Sequence, residues 1–251
     1  MAHSDNNVFA VLILINTILW CIDIHAQSSS ATPRPSADTF DIRSHSFFLP
    51  QAIQPKKYLQ NLSFTYVDLP ASWTLNQINA PMLTYRSKFG LPAGFLLESG
   101  LSTIGISNRL SFGPSWNFSR NHLHFGIGWQ AGYSLGLLNS EGFKTHVSGW
   151  DQEPYLCAGR SFRQCSIIIK ASASWTNSDR FTEGGHRVPM MNSFFNGYSL
   201  CGVVEQRLHK GKVVCLGIKL SQIRYHFLAW PAFPVNQSSY YVPEFQISIN
   251  L

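Results

Sequence analysis

The feature of this sequence that most constrains its fold is an unbroken alternation of apolar with polar or small residues between His122 and Leu137. Apolar side chains occupy every second position from Leu123 onward, among them Ile127 and Trp129. Glycine, serine, histidine and glutamine occupy the positions between them. Because consecutive residues of a β-strand point to opposite faces, the pattern predicts one long strand with an apolar face and a polar or small face.

The same two-residue period recurs from about residue 60 to the end of the sequence and predicts ten strands. It is clear in 104–118, 167–175 and 214–220, and a change of phase after Ser221 and Gln222 predicts a β-bulge. The longer predicted strands run 12–16 residues, against about 5–6 for the mean strand of soluble proteins. The predicted strands are 60–68, 81–88, 93–101, 106–118, 122–137, 147–159, 164–176, 196–208, 212–227 and 240–251.

The connections between these strands alternate in length. Short turns are predicted near 89–92, 119–122, 160–163 and 209–211, long loops near 69–80, 138–147, 177–195 and 228–239, and a shorter link near 102–105. Short turns on one side and longer loops on the other are typical of a transmembrane barrel of antiparallel strands. An even number of strands places both ends of the barrel chain on the short-turn side. Eight strands is the alternative, if the first hairpin lies outside the barrel.

Composition separates a membrane barrel from two other classes of protein. Charged residues make up 13% of the chain, and no run of about 18 apolar residues follows the N-terminal region, which excludes a bundle of transmembrane helices. A soluble ligand-binding barrel is the alternative, and it would turn its polar face to water. That face would be rich in lysine, glutamate and threonine, whereas here it consists mostly of glycine and serine with isolated charges. The sequence therefore favours a barrel whose apolar face meets lipid and whose polar face lines a narrow lumen.

The last predicted strand, YYVPEFQISINL, places Phe245, Ile247, Ile249 and Leu251 on one face. This resembles the C-terminal strand signal of outer-membrane β-barrel proteins, which ends in an aromatic residue where this chain has Leu251. The resemblance extends over residues 60–251 as a pattern, and it is to a broad class of proteins. It implies an all-β, transmembrane, antiparallel up-and-down barrel, with outer-membrane lipid and glycolipid and the barrel-assembly machinery as partners. It carries over no catalytic residue.

The N-terminal region is predicted to be an export signal followed by a linker. Residues 1–27 contain an apolar core and a suitable cleavage site near Ala26, although no lysine or arginine precedes the core. An uncleaved anchor or a misplaced start codon is the alternative. Residues 28–58 are polar and contain prolines, which predicts a mobile periplasmic linker before the barrel at 59–251. The predicted location is the outer membrane of a Gram-negative-type bacterium.

The charge of the chain bears on its partners. Without residues 1–27 the chain loses Asp5 and Asp23 but no lysine or arginine, so its formal net charge rises from +6 to +8. Because the basic residues are scattered and the protein is predicted to be exported, nucleic acid is not a predicted partner. Contact with anionic lipid headgroups or acidic glycans is the preferred interpretation. The sequence leaves the oligomeric state open.

The interior of the predicted barrel is expected to hold paired charges, because barrels of this size are filled by side chains. One register of the hairpin between 93–101 and 106–118 opposes Glu98 to Arg109 inside the barrel. The same register opposes Phe95 to Phe112 on the lipid face, so a lumenal Glu98–Arg109 ion pair is predicted. The predicted lumenal polar network comprises Glu98, Arg109, Gln130, Lys170, Glu205, Arg207 and Lys219.

Four cysteines follow the predicted signal peptide, and their spacing fits no zinc site. A three-residue turn at 209–211 places Cys201 and Cys215 four strand positions apart, which is about 13 Å along a strand. That separation is too large for a disulfide, so these two are predicted to be unbonded. Cys157 and Cys165 lie on the same face across the preceding turn, and a bond between them is left open.

Candidate functional residues lie in the long loops. Six residues are predicted as outer-loop contacts: Asp179, Arg180 and His186 in the loop at 177–195, and Phe227, Trp230 and Phe233 in the aromatic loop at 225–236. The aromatic loop either folds over the barrel mouth or offers a contact site. His122 and His124 stand two residues apart, and hydrogen bonding inside the lumen is preferred over metal binding. No catalytic residue, metal or cofactor is predicted.

Three functions are consistent with this sequence. The leading hypothesis is a non-enzymatic outer-membrane barrel with a narrow, side-chain-filled lumen and a structural, adhesive or surface-interaction role. The first alternative is a barrel enzyme that acts on outer-membrane lipid or peptide at the outer rim. The second is a narrow channel for small solutes. A cluster of aspartate and histidine at the outer mouth would favour the enzyme, and conductance steps would favour the channel.

Overall fold

The computed structural model describes residues 41–70, 78–140, 143–183, 186–188, 193–208, 212–228 and 238–251. The predicted signal peptide at 1–27, the first part of the predicted linker, and the residues Trp230 and Phe233 lie outside the described residues. Within the described part of the chain, no helix is long and apolar enough to cross a membrane.

Ten long antiparallel strands in the described residues form one closed sheet, to which a short additional strand is attached. The strands are β1 (Tyr58–Leu69), β2 (Ile78–Gly90), β3 (Phe95–Thr103), β4 (Ser107–Arg120), β5 (Leu123–Ser140), β6 (Phe143–Ser161), β7 (Cys165–Glu183), β8 (His186–Val188), β9 (Phe194–Arg207), β10 (Val213–Ile223) and β11 (Tyr240–Asn250). Each long strand pairs with the next long strand in the chain, and β1 pairs with β11 to close the barrel. The three-residue strand β8 is added to the end of β7.

Alternate residues of each strand divide between the exterior and the lumen. Large apolar side chains are exposed on the exterior, for example Ile127 at 51% and Leu156 at 60%. Between the exterior residues lie buried positions that face the lumen, such as Ser63 in β1 and Ser115 in β4. A soluble ligand-binding barrel has the opposite arrangement. The fold is therefore the predicted transmembrane up-and-down barrel with ten barrel strands, and the soluble barrel and the eight-stranded barrel are both wrong.

The structure confirms the short turns predicted near 89–92, 119–122 and 160–163 and revises two long loops, while the turn predicted at 209–211 lies outside the described residues. The turns after β2, β4, β6 and β9 lie at one end of the barrel, together with the first residue of β1 and the last of β11. This end is called the short-turn end, and the opposite end the long-loop end. The loop predicted at 138–147 is mostly strand, because β5 continues to Ser140 and β6 begins at Phe143. The loop predicted at 177–195 begins later than expected, because β7 continues to Glu183.

Three neighbouring strands extend beyond the rest of the barrel at the long-loop end. β5, β6 and β7 contain 18, 19 and 19 residues, whereas about 9–11 residues suffice to cross a bilayer. The ladder between β4 and β5 ends at the Ser107–Gly136 pair, but the ladder between β5 and β6 continues to the Ser140–Phe143 pair. The ends of β5, β6 and β7, with β8, therefore form a flap of sheet that projects beyond the rim.

The β-bulge predicted after Ser221 and Gln222 is not formed. β10 remains in register with β9 and β11 up to Ile223 and then ends. The change of phase in the sequence therefore marks the end of a strand. The described ladders shift register elsewhere, between Trp150 and Asp151 in β6 and between Ser174 and Trp175 in β7.

The register predicted for β9 and β10 is confirmed. Cys215 lies opposite Glu205, and Cys201 lies opposite Lys219. The cysteines of the described chain, Cys157, Cys165, Cys201 and Cys215, are free. The bond left open between Cys157 and Cys165 is therefore not formed, and Cys157 lies opposite Lys170 of β7.

The register predicted for β3 and β4 is wrong by four residues. Glu98 lies opposite Gly113, and Arg109 lies opposite Ser102. Gly105 has a φ of +92°, which glycine tolerates, and Ile104 N donates to Ser107 O at 3.0 Å, so the turn is centred further along the chain than predicted. A shift by an even number of residues keeps every side chain on its face. The alternation of residue types therefore did not distinguish the two registers.

The closed sheet with its apolar exterior has a direct experimental consequence. We expect the protein without residues 1–27 to stay monomeric only in detergent or lipid, because water would otherwise contact the apolar band. In a denaturing gel, the unheated barrel is expected to migrate faster than the boiled sample, which serves as its control. A monomer that is soluble in buffer without detergent would contradict the fold.

The segment 41–50, which precedes β1, enters the barrel at the short-turn end and is called the plug segment. It begins with a short 3-10 helix, Ile42–Ser44, which Asp41 caps by accepting a hydrogen bond from Arg43 N at 3.0 Å. The side chains of Ile42, Phe47 and Leu49 are buried. The interpretation of residues 28–58 as a mobile linker did not include this packing.

Candidate functional site

A single buried carboxylate, that of Glu205 in β9, holds the plug segment in the barrel. Its Oε1 accepts hydrogen bonds from the backbone N atoms of Phe47 at 2.9 Å and Phe48 at 3.0 Å. Its Oε2 accepts hydrogen bonds from the hydroxyl groups of Ser46 and Ser166. Glu205 has no exposed surface. A buried carboxylate needs hydrogen-bond donors in place of water. The plug segment supplies such donors to Glu205, and Glu205 supplies the acceptor that they need.

The same carboxylate connects the plug segment to the strands that close the barrel. Asn250 Nδ2 in β11 donates to His45 O at 2.9 Å and lies 3.4 Å from Glu205 Oε1. Asn61 Nδ2 in β1 donates to Asn250 Oδ1 at 2.8 Å. A chain of hydrogen bonds therefore runs from the plug segment across the β1–β11 junction.

Apolar and aromatic contacts complete the closure of the short-turn end. A buried cluster joins the plug segment to the barrel wall and comprises Ile42, Leu49, Ile168, Val203, Val213 and Cys215. Lys88 Nζ lies 5.1 Å from the centroid of the Phe47 ring, and Arg86 Cζ lies 5.5 Å from that of Phe48. Cations over aromatic faces are attracted to them. Each of the two plug rings thus lies against a cationic side chain of β2.

Glu98 is the centre of the first group of lumenal ion pairs. Its Oε1 lies 3.2 Å from Lys88 Nζ, its partner across β2 and β3, and accepts a hydrogen bond from Ser115 Oγ at 3.0 Å. Gln130 Nε2 donates to Oε2 at 3.0 Å. The predicted pairing of Glu98 with Arg109 is therefore wrong, because the shifted β3–β4 register gives each of them another partner.

Arg109 of β4 pairs with acids of β6 over Gly132 of the intervening strand β5. Its guanidinium donates to both carboxylate oxygens of Asp151 and lies 3.5 Å from Glu153 Oε2. Lys170 Nζ lies 3.8 Å from Glu153 Oε1 and 3.9 Å from the centroid of the Tyr155 ring. Two-pronged contacts between arginine and carboxylate are among the stronger charged hydrogen bonds.

A third group of charges joins β10 and β11. Lys219 Nζ lies 3.1 Å from Glu244 Oε1, and His226 Nε2 lies 3.5 Å from the same oxygen. Arg86 donates at 3.3 Å to Ser63 Oγ and at 3.3 Å to Gln246 Oε1. Charges held away from bulk water are costly unless they are paired or hydrogen-bonded. These three groups meet that requirement within the barrel.

At the long-loop end, the chain that follows β10 turns inward and covers the mouth. Ser107 Oγ donates to Phe227 O at 2.8 Å. Leu228 is buried in an apolar cluster with Val67, Leu69, Met82, Ile223 and Val242. Of the two interpretations of the aromatic loop, its described beginning fits the one in which it folds over the mouth. Phe227, predicted as an outer-loop contact, is half-buried there.

Between the plug segment and the mouth the lumen retains a cavity of about 180 Å³. Its lining includes Phe47 of the plug segment, Phe227 of the mouth, and the charged residues Glu98 and Lys219. A cavity of about 100 Å³ beside Arg109 lies nearer the mouth. Since one water needs about 10–15 Å³, these cavities can hold water. Phe47 of the plug segment borders the larger cavity at the short-turn end, and Phe227 borders it at the long-loop end.

Two histidines of the lumen, His124 and His226, could in principle serve acid–base chemistry. His124 Nδ1 and Nε2 lie 2.7 Å from Ser119 Oγ and 3.0 Å from Ser161 Oγ. His226 faces Glu244 through Nε2 and accepts from the backbone N of Leu228 at Nδ1. Both ring nitrogens of each histidine are engaged, which is typical of a structural role. The described residues contain no group of three metal-ligating side chains.

The predicted lumenal residues fall into two groups. Six of them line the interior: Glu98, Arg109, Gln130, Lys170, Glu205 and Lys219. Arg207 ends β9 at the short-turn end. The sequence analysis missed the other lumenal charges, which are Arg86, Lys88, Asp151, Glu153 and Glu244. The two-residue alternation could have identified them, because it places them on the lumenal face. Glu244, for example, alternates with the exterior residues Phe245 and Ile247.

The three predicted outer-loop contacts from the loop at 177–195 belong to the projecting flap. Arg180 is exposed in β7 opposite Ser148. Asp179 lies in the same strand, and His186 begins β8. That these residues contact a partner remains a prediction.

Comparison with known proteins was made for sequence and for structure. No protein-family model matches the sequence, and no curated protein matches it. A KdgM porin in complex with disordered oligogalacturonate shares 9% identity at a TM-score of 0.39, over 76% of this chain and 97% of the porin. An outer membrane channel from Pseudomonas putida F1 shares 7% at 0.36, over 80% and 98%. Neisserial surface protein A shares 6% at 0.30, over 77% and 96%.

Likeness at these identities and TM-scores carries no argument about the function of this chain. The barrel itself defines the structural class, through its closure, its ten antiparallel strands in the described residues, its apolar exterior and its polar lumen. The chain therefore has the fold of the outer-membrane β-barrel proteins.

Proposed function

We propose that this protein is an outer-membrane barrel that acts through its outward-facing surface, in a non-enzymatic structural, adhesive or surface-interaction role. The exterior supports the location, since it exposes rows of large apolar side chains that lipid would cover. The observation that carries the proposal is the occupied lumen. The plug segment occupies the short-turn end, Phe227 and Leu228 lie at the mouth, and ion pairs line the cavity between them.

The projecting flap supports the same proposal. A strand that only crosses the bilayer has no need for the 18 or 19 residues of β5, β6 and β7. The additional residues extend these strands beyond the rim as the flap, whose edge would face the surroundings of the cell. Arg180 is an exposed charged side chain on this flap. A surface role would involve this flap and would not require passage through the lumen.

Conductance in planar lipid bilayers tests the proposal. We expect the reconstituted wild-type barrel to give no steady conductance steps, because the plug segment occupies the short-turn end of the lumen and ion pairs narrow the rest. An unrelated open porin in the same bilayer serves as the positive control. Regular steps from the folded wild-type protein would overturn the proposal and favour the narrow channel.

A gated narrow channel is the second candidate function. It is favoured by the non-covalent attachment of the plug segment and by the cavity of about 180 Å³ behind it. Deletion of residues 41–50 separates the two candidates. A folded deletion variant that conducts, beside a silent wild type, would favour gating, and silence of both would favour the surface role.

A further inference from the structure

A pocket of about 320 Å³ opens at the short-turn end between the plug segment and two turns of the barrel. Five charged or titratable side chains line it, namely Asp41, Arg43, His122, Arg160 and Arg163. They come from the plug segment, from the turn between β4 and β5, and from the end of β6 with the turn that follows it. The volume is at the lower end of the range of about 300–1,000 Å³ for small-molecule sites.

Positive charge in this pocket exceeds negative charge. Asp41 Oδ2 lies 2.6 Å from Arg43 Nη2. The hydrogen bond from Arg43 holds the pKa of Asp41 below its usual value, so this carboxylate stays ionised and compensates one guanidinium. Arg160 and Arg163 form no ion pair with any described residue. Within the described part of the chain, two guanidinium charges therefore face the pocket without a compensating carboxylate.

The pocket is also held in shape before any ligand enters. Arg160 Cζ lies 5.3 Å from the centroid of the Phe162 ring, which restrains the guanidinium. Ser161 N donates to His122 O at 3.0 Å and fixes the two turns against each other. A planar guanidinium offers a fork of N–H donors that matches the oxygens of phosphate or carboxylate. Restrained donors bind more tightly because less freedom is lost on binding.

The position of the pocket indicates which anion is at hand. It opens at the short-turn rim, where a barrel in a bilayer meets the lipid headgroups. Other exposed basic residues lie at the same end, among them Lys56, Arg120 and Lys212. Their field attracts anionic headgroups toward this rim.

We propose that this pocket binds a phosphate group, that of an anionic phospholipid headgroup, and thereby holds the plug segment in the barrel. Arg160 and Arg163 supply the donors on the barrel side, and Arg43 supplies them on the plug side. Because Arg43 belongs to the plug segment, a phosphate bound between the two sides links them. The inference goes beyond the proposed function. It requires the described position of the plug segment, and it does not require that the barrel fail to conduct ions.

The test uses the folded full-length barrel in a neutral maltoside detergent, with phosphatidylglycerol and inorganic phosphate as separate probes. Native mass spectrometry measures binding, and hydrogen exchange measures protection of the amides of Phe47 and Phe48. We expect phosphatidylglycerol to bind and to slow this exchange by about tenfold. The double variant Arg160→Gln/Arg163→Gln should bind at least about tenfold more weakly. The matched control, Arg120→Gln/Lys212→Gln, removes the same charge at the same end outside the pocket and should bind as the wild type does.

The two probes identify the source of the phosphate. Protection by phosphatidylglycerol alone identifies a lipid headgroup, and equal protection by inorganic phosphate identifies a soluble phosphate at the same site. Equal loss of binding in the pocket and control variants would overturn the pocket in favour of diffuse attraction to the rim. If neither probe binds the wild-type protein, the proposed phosphate site is overturned. The conductance test of the proposed function is independent of that result.

Discussion

Replacement of Glu205 by alanine is expected to release the plug segment while the barrel stays closed. The change leaves the backbone N–H groups of Phe47 and Phe48 and the hydroxyl groups of Ser46 and Ser166 without their acceptor. Each buried donor left unsatisfied costs about 1–3 kcal/mol. A loss of about 3 kcal/mol in local stability corresponds to exchange of the plug amides that is at least about 100-fold faster.

Hydrogen exchange of the peptide that contains residues 46–49 measures this release. Glu205→Gln keeps one acceptor oxygen and should give an intermediate rate. Glu153→Gln is the matched control, because Glu153 is a lumenal carboxylate that pairs with Arg109 and Lys170 and not with the plug segment. Unchanged plug exchange in Glu205→Ala would show that apolar packing alone holds the plug.

Replacement of Arg109 by methionine is expected to produce the second large effect, a loss of global stability. Asp151 and Glu153 would then face each other with Lys170 as the remaining cation. Removing one member of a buried ion pair costs about 3–5 kcal/mol. The Arg109 side chain is 18% exposed and borders a cavity, so we expect the lower end of that range. Urea unfolding in lipid vesicles measures the change.

Double-mutant cycles identify the partner of Arg109. Asp151→Asn should recover part of the loss caused by Arg109→Met, because it removes the charge left without its partner. Glu98→Gln should instead add to Arg109→Met within about 0.5 kcal/mol, since the two residues share no partner. Coupling to Glu98 and additivity with Asp151 would restore the register that the sequence analysis had predicted.

The faces of the strands followed from the sequence, whereas the pairs across the strands did not. Alternation from Leu123 to Leu137 specifies which residues meet lipid, because the side-chain period of a strand is two. Alternation does not distinguish registers that differ by an even number of residues. The partner predicted for Arg109 was therefore wrong. The β9–β10 register was predicted correctly from the short stretch of sequence between the two strands, whereas the β3–β4 register depended on the conformation of Gly105.

The plug segment illustrates a second limit of the sequence analysis. Residues 28–58 are polar on average, and the average hid the apolar side chains Ile42, Phe47 and Leu49 within them. The close spacing of these apolar residues in the sequence could have predicted that the segment packs against the barrel. The acceptor that makes their burial favourable, Glu205, lies about 160 residues away in the chain, where no local pattern connects the two.

That distance in sequence has a consequence for the order of events during assembly. The plug segment is made before any strand, yet its acceptor arrives with β9, and the bridging Asn250 arrives only with the last strand. Contacts between such distant parts of a chain form late, because a long loop must be closed first. Since Asn250 also contacts Asn61 across the β1–β11 junction, the plug can dock fully only on a finished cylinder. Full docking of the plug segment therefore depends on the last strand, β11, being in place.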